Sequence, residues 1–182
     1  MSALAWAQNG APGKGPGPGP GGSLSWDTAP LTAEEAKTLV FMREEEKLAR
    51  DVYQKLYEKW NLVVFRNIAE SEDQHFKVVG DMLARHKIAD PAAEMAPGEF
   101  RDARLAALYE ELIAKGMASV NDALEVGIQI EKADIADLEE VIKQTTRLEL
   151  KRLYTNLMTA SFNHLEAFET NLESACPVCP WK

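Results

Sequence analysis

The stretch MREEEKLARDVY, Met42–Tyr53, decides how this chain folds. Leu39, Met42, Glu46, Ala49, Tyr53, Leu56 and Trp60 advance by three or four, the spacing of one helix face, so Glu46 falls inside an otherwise apolar stripe. Glu44 and Glu45 lie off the stripe and read as a solvated face, so Glu46 alone is expected to point inward. Thr32-x-x-Glu35 reads as a capping box, which sets this first helix at about Ala33 to Trp60.

Three other segments repeat the pattern. After a break around Asn61 to Arg66, the stripe Ile68, Glu72, His75, Val79, Met82 predicts a second helix ending near His86 or Lys87. Val120, Leu124, Ile128, Glu131, Ile135 and Leu138 form a third stripe, opened by Ser119-x-x-Asp122. Leu150, Leu153, Leu157, Ser161, His164, Phe168 and Leu172 form the last, opened by Thr146-x-x-Glu149. Between the second and third stripes, Pro91 and Pro97-Gly98 interrupt the chain, Arg101 to Lys115 carry a short helical pattern, and Gly116 suits a left-handed stop. The pattern predicts an all-α protein, a four-helix bundle with a short extra helix in the crossover between helices two and three.

Ionised side chains are rarely buried without partners. Glu46, Glu72 with His75, Glu131 with Asp134, and His164 each sit near the middle of a predicted helix and in phase with its apolar face. Each alone has an ordinary reading, as a solvated edge or a hydrogen-bonded core histidine. In antiparallel helices their mid-helix levels coincide, and four polar intrusions at one level point to a metal site. Four carboxylates balance two divalent cations, and mixed carboxylate and imidazole donors suit iron, manganese or zinc. His86, eleven residues beyond His75 or about 16 Å along a helix, is too far to join and reads as a cation at a helix end. Met42, Met82 and Met158 read as core filling.

Composition bounds the rest. The 182 residues are 46% hydrophobic and 27% charged, enough for one substantial core with a tail. A net charge of -9 argues against nucleic acid as a partner, and no apolar run is long enough to span a bilayer. Residues 1–30 divide off as a Gly/Pro-rich leader, with GAPGKGPGPGPGG at its centre, from a helical domain over 31–173 and a tail over 174–182. Ala5 and Ala7 have the small-residue spacing of an export-signal cleavage site; a signal remnant implies a periplasmic or extracellular protein, an ordinary leader a cytoplasmic one. Cys176 and Cys179 in CPVCPWK are half of a thiolate knuckle, open to a disulfide, a redox pair or an intersubunit metal site.

MREEEKLARDVY, IEKADIADLEE and NHLEAF together resemble a family of ferritin-like domains in bacteria and archaea named for its unknown function, itself distantly similar to rubrerythrins. The resemblance covers about Leu31 to Leu172. It implies that Glu46, Glu72, His75, Glu131 and His164 are metal ligands, with Asp134 as an additional acidic ligand and Tyr53 beside them. Ser161 departs from the pattern, standing where such sites carry a carboxylate, and would leave a coordination position open. The implied chemistry is that of a di-iron oxidoreductase, a ferroxidase or peroxidase acting with oxygen or peroxide. A metal-binding protein without turnover, or a metal-free helical interaction module, are the alternatives. A homodimer is the default assembly.

Overall fold

The computed structural model describes residues 30–175. All its regular structure is helical: α1 (Ala33–Trp60), α2 (Val63–Arg85), α3 (Ala103–Gly116), α4 (Val120–Gln144) and α5 (Leu148–Ala175), with no strand among the described residues. α1 packs along α2 and α4 along α5; α1 also meets α4, α2 meets α5, and α3 lies against α1 and α4. Among the described residues no helix is long and apolar enough to cross a membrane. The leader, including Ala5 and Ala7, and the pair Cys176 and Cys179 lie outside the described residues.

The starts of the helices follow local chemistry. Thr32 caps α1 in a complete capping box: its hydroxyl accepts from the Glu35 N–H at 3.2 Å, and Glu35 accepts from the Thr32 N–H at 3.0 Å. Ser119 caps α4 by accepting from the Asp122 N–H at 3.0 Å. The start of α5 differs from expectation, because the helix begins at Leu148. Thr145, not Thr146, supplies the turn, accepting from the Arg147 N–H at 3.2 Å.

Two breaks also differ. The interruption expected over Asn61 to Arg66 is confined to Asn61 and Leu62, because Asn61 takes the left-handed conformation (φ 51°) and reverses the chain at once. Val63, Val64 and Phe65 then start α2, and Phe65 is fully buried. Gly116 is not a left-handed stop. It is the last residue of α3, where a Cβ would meet Leu56 Cδ2 at 2.6 Å, and its carbonyl accepts from Trp60 Nε1 at 2.8 Å. Glycine here is a matter of clearance for packing.

The charge run on α1 is the largest difference. Glu44 is buried, not solvated, because the connection before α3 folds over that face, and its carboxylate accepts from the N–H groups of Arg101 (2.5 Å) and Asp102 (3.3 Å). Lys47 is also buried, donating to Asp51 Oδ2 at 2.5 Å and to the Ala96 carbonyl at 2.7 Å. Arg43 forks onto the Asp90 carboxylate. Toward the Trp60 end of α1, Tyr53, Phe65 and Phe168 pack with ring centroids 5.1 to 6.3 Å apart. Gly127 gives them room, since a Cβ there would lie 2.7 Å from the Phe168 ring.

Candidate metal centre

Above this aromatic layer the inward stripes of α1, α2, α4 and α5 bring their polar members together. Glu46, Glu72, Glu131 and Ser161 are buried, His164 is at the margin of burial, and His75 and Asp134 are partly exposed. Their donor atoms fall into two groups, Glu46 with Glu72 and His75, and Glu72 with Glu131 and His164, each with one atom per residue within 4.8 Å of the others. Glu72 belongs to both. Its Oε2 lies 2.7 Å from His75 Nδ1, while its Oε1 lies 2.8 Å from His164 Nδ1. The Glu-x-x-His spacing allows the first contact, because residues three apart share a helix face.

The remaining atoms complete the geometry. His75 Nδ1 is 3.3 Å from Glu46 Oε2, His164 Nδ1 is 3.6 Å from Glu131 Oε2, and the two imidazoles face each other at 5.7 Å. Tyr53 donates its hydroxyl to Glu131 Oε1 at 2.7 Å, fixing that carboxylate from below. Asp134 sits at the edge. Ser161 Oγ lies 2.6 Å from Asp134 Oδ2 and 3.0 Å from the Leu157 carbonyl, so one hydroxyl proton serves two acceptors.

Two buried atoms are left over. Glu46 Oε1 has no hydrogen-bond partner, and His164 Nδ1, although close to two carboxylates, approaches neither at a hydrogen-bonding angle. The other nitrogen of His164, Nε2, lies 3.0 Å from Ser71 Oγ. Without a metal the carboxylates favour the protonated ring, whereas a neutral His164 that donates its Nε2 proton to Ser71 would turn an Nδ1 lone pair toward the carboxylates, the form that binds a cation. Buried polar atoms without partners are uncommon, and one lies in each ligand group, where a cation could satisfy it.

The electrostatics carry the same tension. Burial would push the Glu72 carboxyl up, but the two imidazoles that face it hold it at about 2. Burial pushes Glu131 up to about 8 and Asp134 up to about 7, against the favourable His164 and Ser161 contacts, and the Glu72 charge adds to both. Glu46 is raised well above the usual carboxylate range by burial, with the Asp134 and Glu72 charges adding to it and His75 opposing it. Burial alone would lower the histidines; the carboxylates around them instead raise His75 to about 11 and His164 to about 9. Protons thus do the neutralising in the metal-free cluster.

A narrow cavity of about 30 Å³ adjoins the cluster between α1 and α4, bordered by Glu45, Glu46, Glu72, Glu131 and Asp134 on one side and by Leu105 and Leu108 of α3 on the other. Sequence reasoning misses three residues here. Ser71 follows no periodic signal, and a serine off the apolar stripe has no mark that it will meet a histidine 93 residues away. Glu45 reads with its charge run as solvent-facing, yet its Oε2 is buried without a donor. Asp137 also holds a buried, unpartnered Oδ2; the Glu131-x-x-Asp134-x-x-Asp137 spacing is the signal that could have found it. His86 pairs with Glu149 at 3.0 Å and stays outside the cluster.

An all-helical domain with a carboxylate and imidazole cluster at its centre is thus the class that fold and site define. The pattern described as "Uncharacterized protein domain (DUF2202)" matches residues 35–177, and the chain belongs to that family. The uncharacterised protein MJ0754 of Methanocaldococcus jannaschii is 48% identical over 139 residues, covering 76% of this chain and 75% of that protein. The crystal structure of MJ0754 matches with a TM-score of 0.80 at 46% identity, over 82% of this chain and 86% of that one. The crystal structure of a DUF305 fragment from Deinococcus radiodurans has a TM-score of 0.60 at 17% identity, over 80% of this chain and 99% of the fragment, a likeness of fold alone.

Proposed function

We propose that the protein is a ferritin-like four-helix bundle, with α3 inside the crossover, that holds two divalent cations on either side of Glu72 and acts as a di-iron ferroxidase or peroxidase. The observation that carries this reading is the pair of ligand groups sharing Glu72, with the unsatisfied Glu46 Oε1 and His164 Nδ1 at their centre. In this reading Glu46 and His75 hold one ion, Glu131 and His164 the other, and Glu72 spans both. Asp134, held by Ser161, contributes charge at the edge where Ser161 itself cannot. The donor set suits iron first, with manganese or zinc tolerated.

A pair of iron ions would supply two electrons to dioxygen or hydrogen peroxide. The chain's own part is to position and to select. Tyr53 orients Glu131, Ser71 sets the His164 tautomer, and the leucines of α3 wall off the centre. A cavity of about 30 Å³ admits a water-sized molecule, since one water needs about 10–15 Å³. Oxygen and peroxide are oxidants small enough to fit it.

Stopped-flow absorbance tests the reading. Protein loaded with two ferrous ions should oxidise them with oxygen or peroxide faster than free iron does. Iron bound at two per chain that reacts no faster than free iron would leave a metal-handling protein without turnover, and protein that binds no metal would be a helical interaction module.

A further inference from the structure

The same cavity has a feature that the ligand groups do not use. α4 places carboxylates at Glu131, Asp134 and Asp137, three apart and so on one side of the helix, each step advancing about 4.5 Å along its axis. Glu131, Asp134 and Glu45 of α1 border the cavity, and Asp137 lies just beyond it in contact with Glu45. Asp134, Asp137 and Glu45 are partly exposed as residues, yet Glu45 Oε2 and Asp137 Oδ2 are buried, and the two carboxyls meet each other rather than a cationic or backbone donor. At the inner end stands Glu46, whose residue is 3% exposed and whose unpartnered Oε1 belongs to a side chain bordering the cavity. The row therefore runs from partial exposure to a buried acceptor that has nothing to accept.

We propose that Glu45, Asp137 and Asp134 form a loading path along which divalent cations pass between α1 and α4, beneath α3, into the buried centre. The proposal rests on the reading that the centre holds cations. A hydrated cation must lose water to enter a space of about 30 Å³, and carboxylate oxygens spaced along the wall replace those waters in turn. A passage lined by one sign of charge with low-dielectric walls also concentrates the opposite ion. Leu105 and Leu108 supply such a wall. Arg104, the nearby cation that feels the Glu45 charge, is drawn aside by Asp102 at 2.5 Å.

The test mixes metal-stripped full-length protein with cobalt(II) and follows ligand-field absorbance by stopped flow, with elemental analysis of the final product. E45Q/D137N keeps shape and removes charge; its uptake should be slower by about tenfold or more, at wild-type final stoichiometry. Leu108→Trp, which narrows the cavity from the opposite wall, should slow uptake independently, and exposed Glu166→Gln should not. Wild-type uptake rates in both E45Q/D137N and Leu108→Trp would overturn the path while leaving the metal centre standing. Loss of bound cobalt at equilibrium in E45Q/D137N would also overturn it, because these groups would then be ligands. If wild-type protein takes up no cobalt, both the path and the metal reading fail.

Discussion

Helix α1 buries charge on two faces, and the two faces treat it differently. Toward the connection before α3, each buried charge has a partner: Lys47 meets Asp51 and a carbonyl, Arg43 meets Asp90, and Glu44 takes two backbone N–H groups. Toward the interior shared with α2, α4 and α5, Glu46 keeps one oxygen without a donor and shares its imidazole neighbour with Glu72. Carboxylates outnumber cations on this side and carry raised proton affinities. A buried charge that completes its own hydrogen bonds holds the fold together. One that does not complete them requires something from outside.

The sharpest way to break this contrast is Glu72→Ala. Removing the residue shared by both ligand groups should abolish binding of both metals, read by elemental analysis of protein that remains helical by circular dichroism. Retention of one full equivalent would show that Glu72 is not the bridge. Asp51→Ala should do the reverse. It leaves Lys47 buried without its anion, and urea denaturation of the metal-free protein should show a loss of about 3–5 kcal/mol, with metal stoichiometry unchanged in the folded fraction.

Much of the inner face is legible in the amino-acid sequence, because Glu46, Glu72, His75, Glu131 and His164 interrupt apolar stripes of helical period. The outer face is not. Glu44 and Lys47 look like solvent-facing charges on a single helix, and only the fold of residues 88–102 over α1 makes them interior. The capping box and the cap serine can be read because they act within three residues. Asn61 cannot, since any short polar residue after a helix looks alike until its φ is known. Gly116 misleads for a related reason: a glycine that clears space for Leu56 and one that turns left-handed have the same letter.

The pH dependence sharpens the contrast further. A carboxyl raised on folding, such as Glu131 from 4.5 to about 8, binds more protons folded than unfolded, so its contribution falls as pH rises through that window. Asp134, raised from 3.8 to about 7, acts with the same sign. The histidines, raised from 6.5 to about 11 and about 9, favour the fold below 6.5 and lose that contribution as pH climbs through their folded values. Glu72 runs oppositely, stabilising above 4.5 and losing its effect as pH falls toward about 2. Metal-free protein should therefore lose stability steadily from pH 4.5 to 9 in thermal melts, and saturating metal should flatten that slope. Equal slopes with and without metal would mean that the cluster is content with protons.

The smallest expected effect lies one contact further out. Ser71→Ala removes the partner that fixes the His164 tautomer and should weaken metal binding by about tenfold, with little change in thermal stability of the metal-free protein. Competition titration against a chelator of known affinity reads this directly, and wild-type affinity would mean that His164 is oriented by other contacts.

The central claim is that two cations sit on either side of one carboxylate. Anomalous diffraction from crystals of the protein purified without chelator, recorded above and below the iron edge, tests it most directly. The account predicts two anomalous peaks flanking the Glu72 carboxylate, one beside Glu46 and His75 and one beside Glu131 and His164. An absence of peaks there, in crystals soaked with ferrous iron under anaerobic conditions, would contradict it.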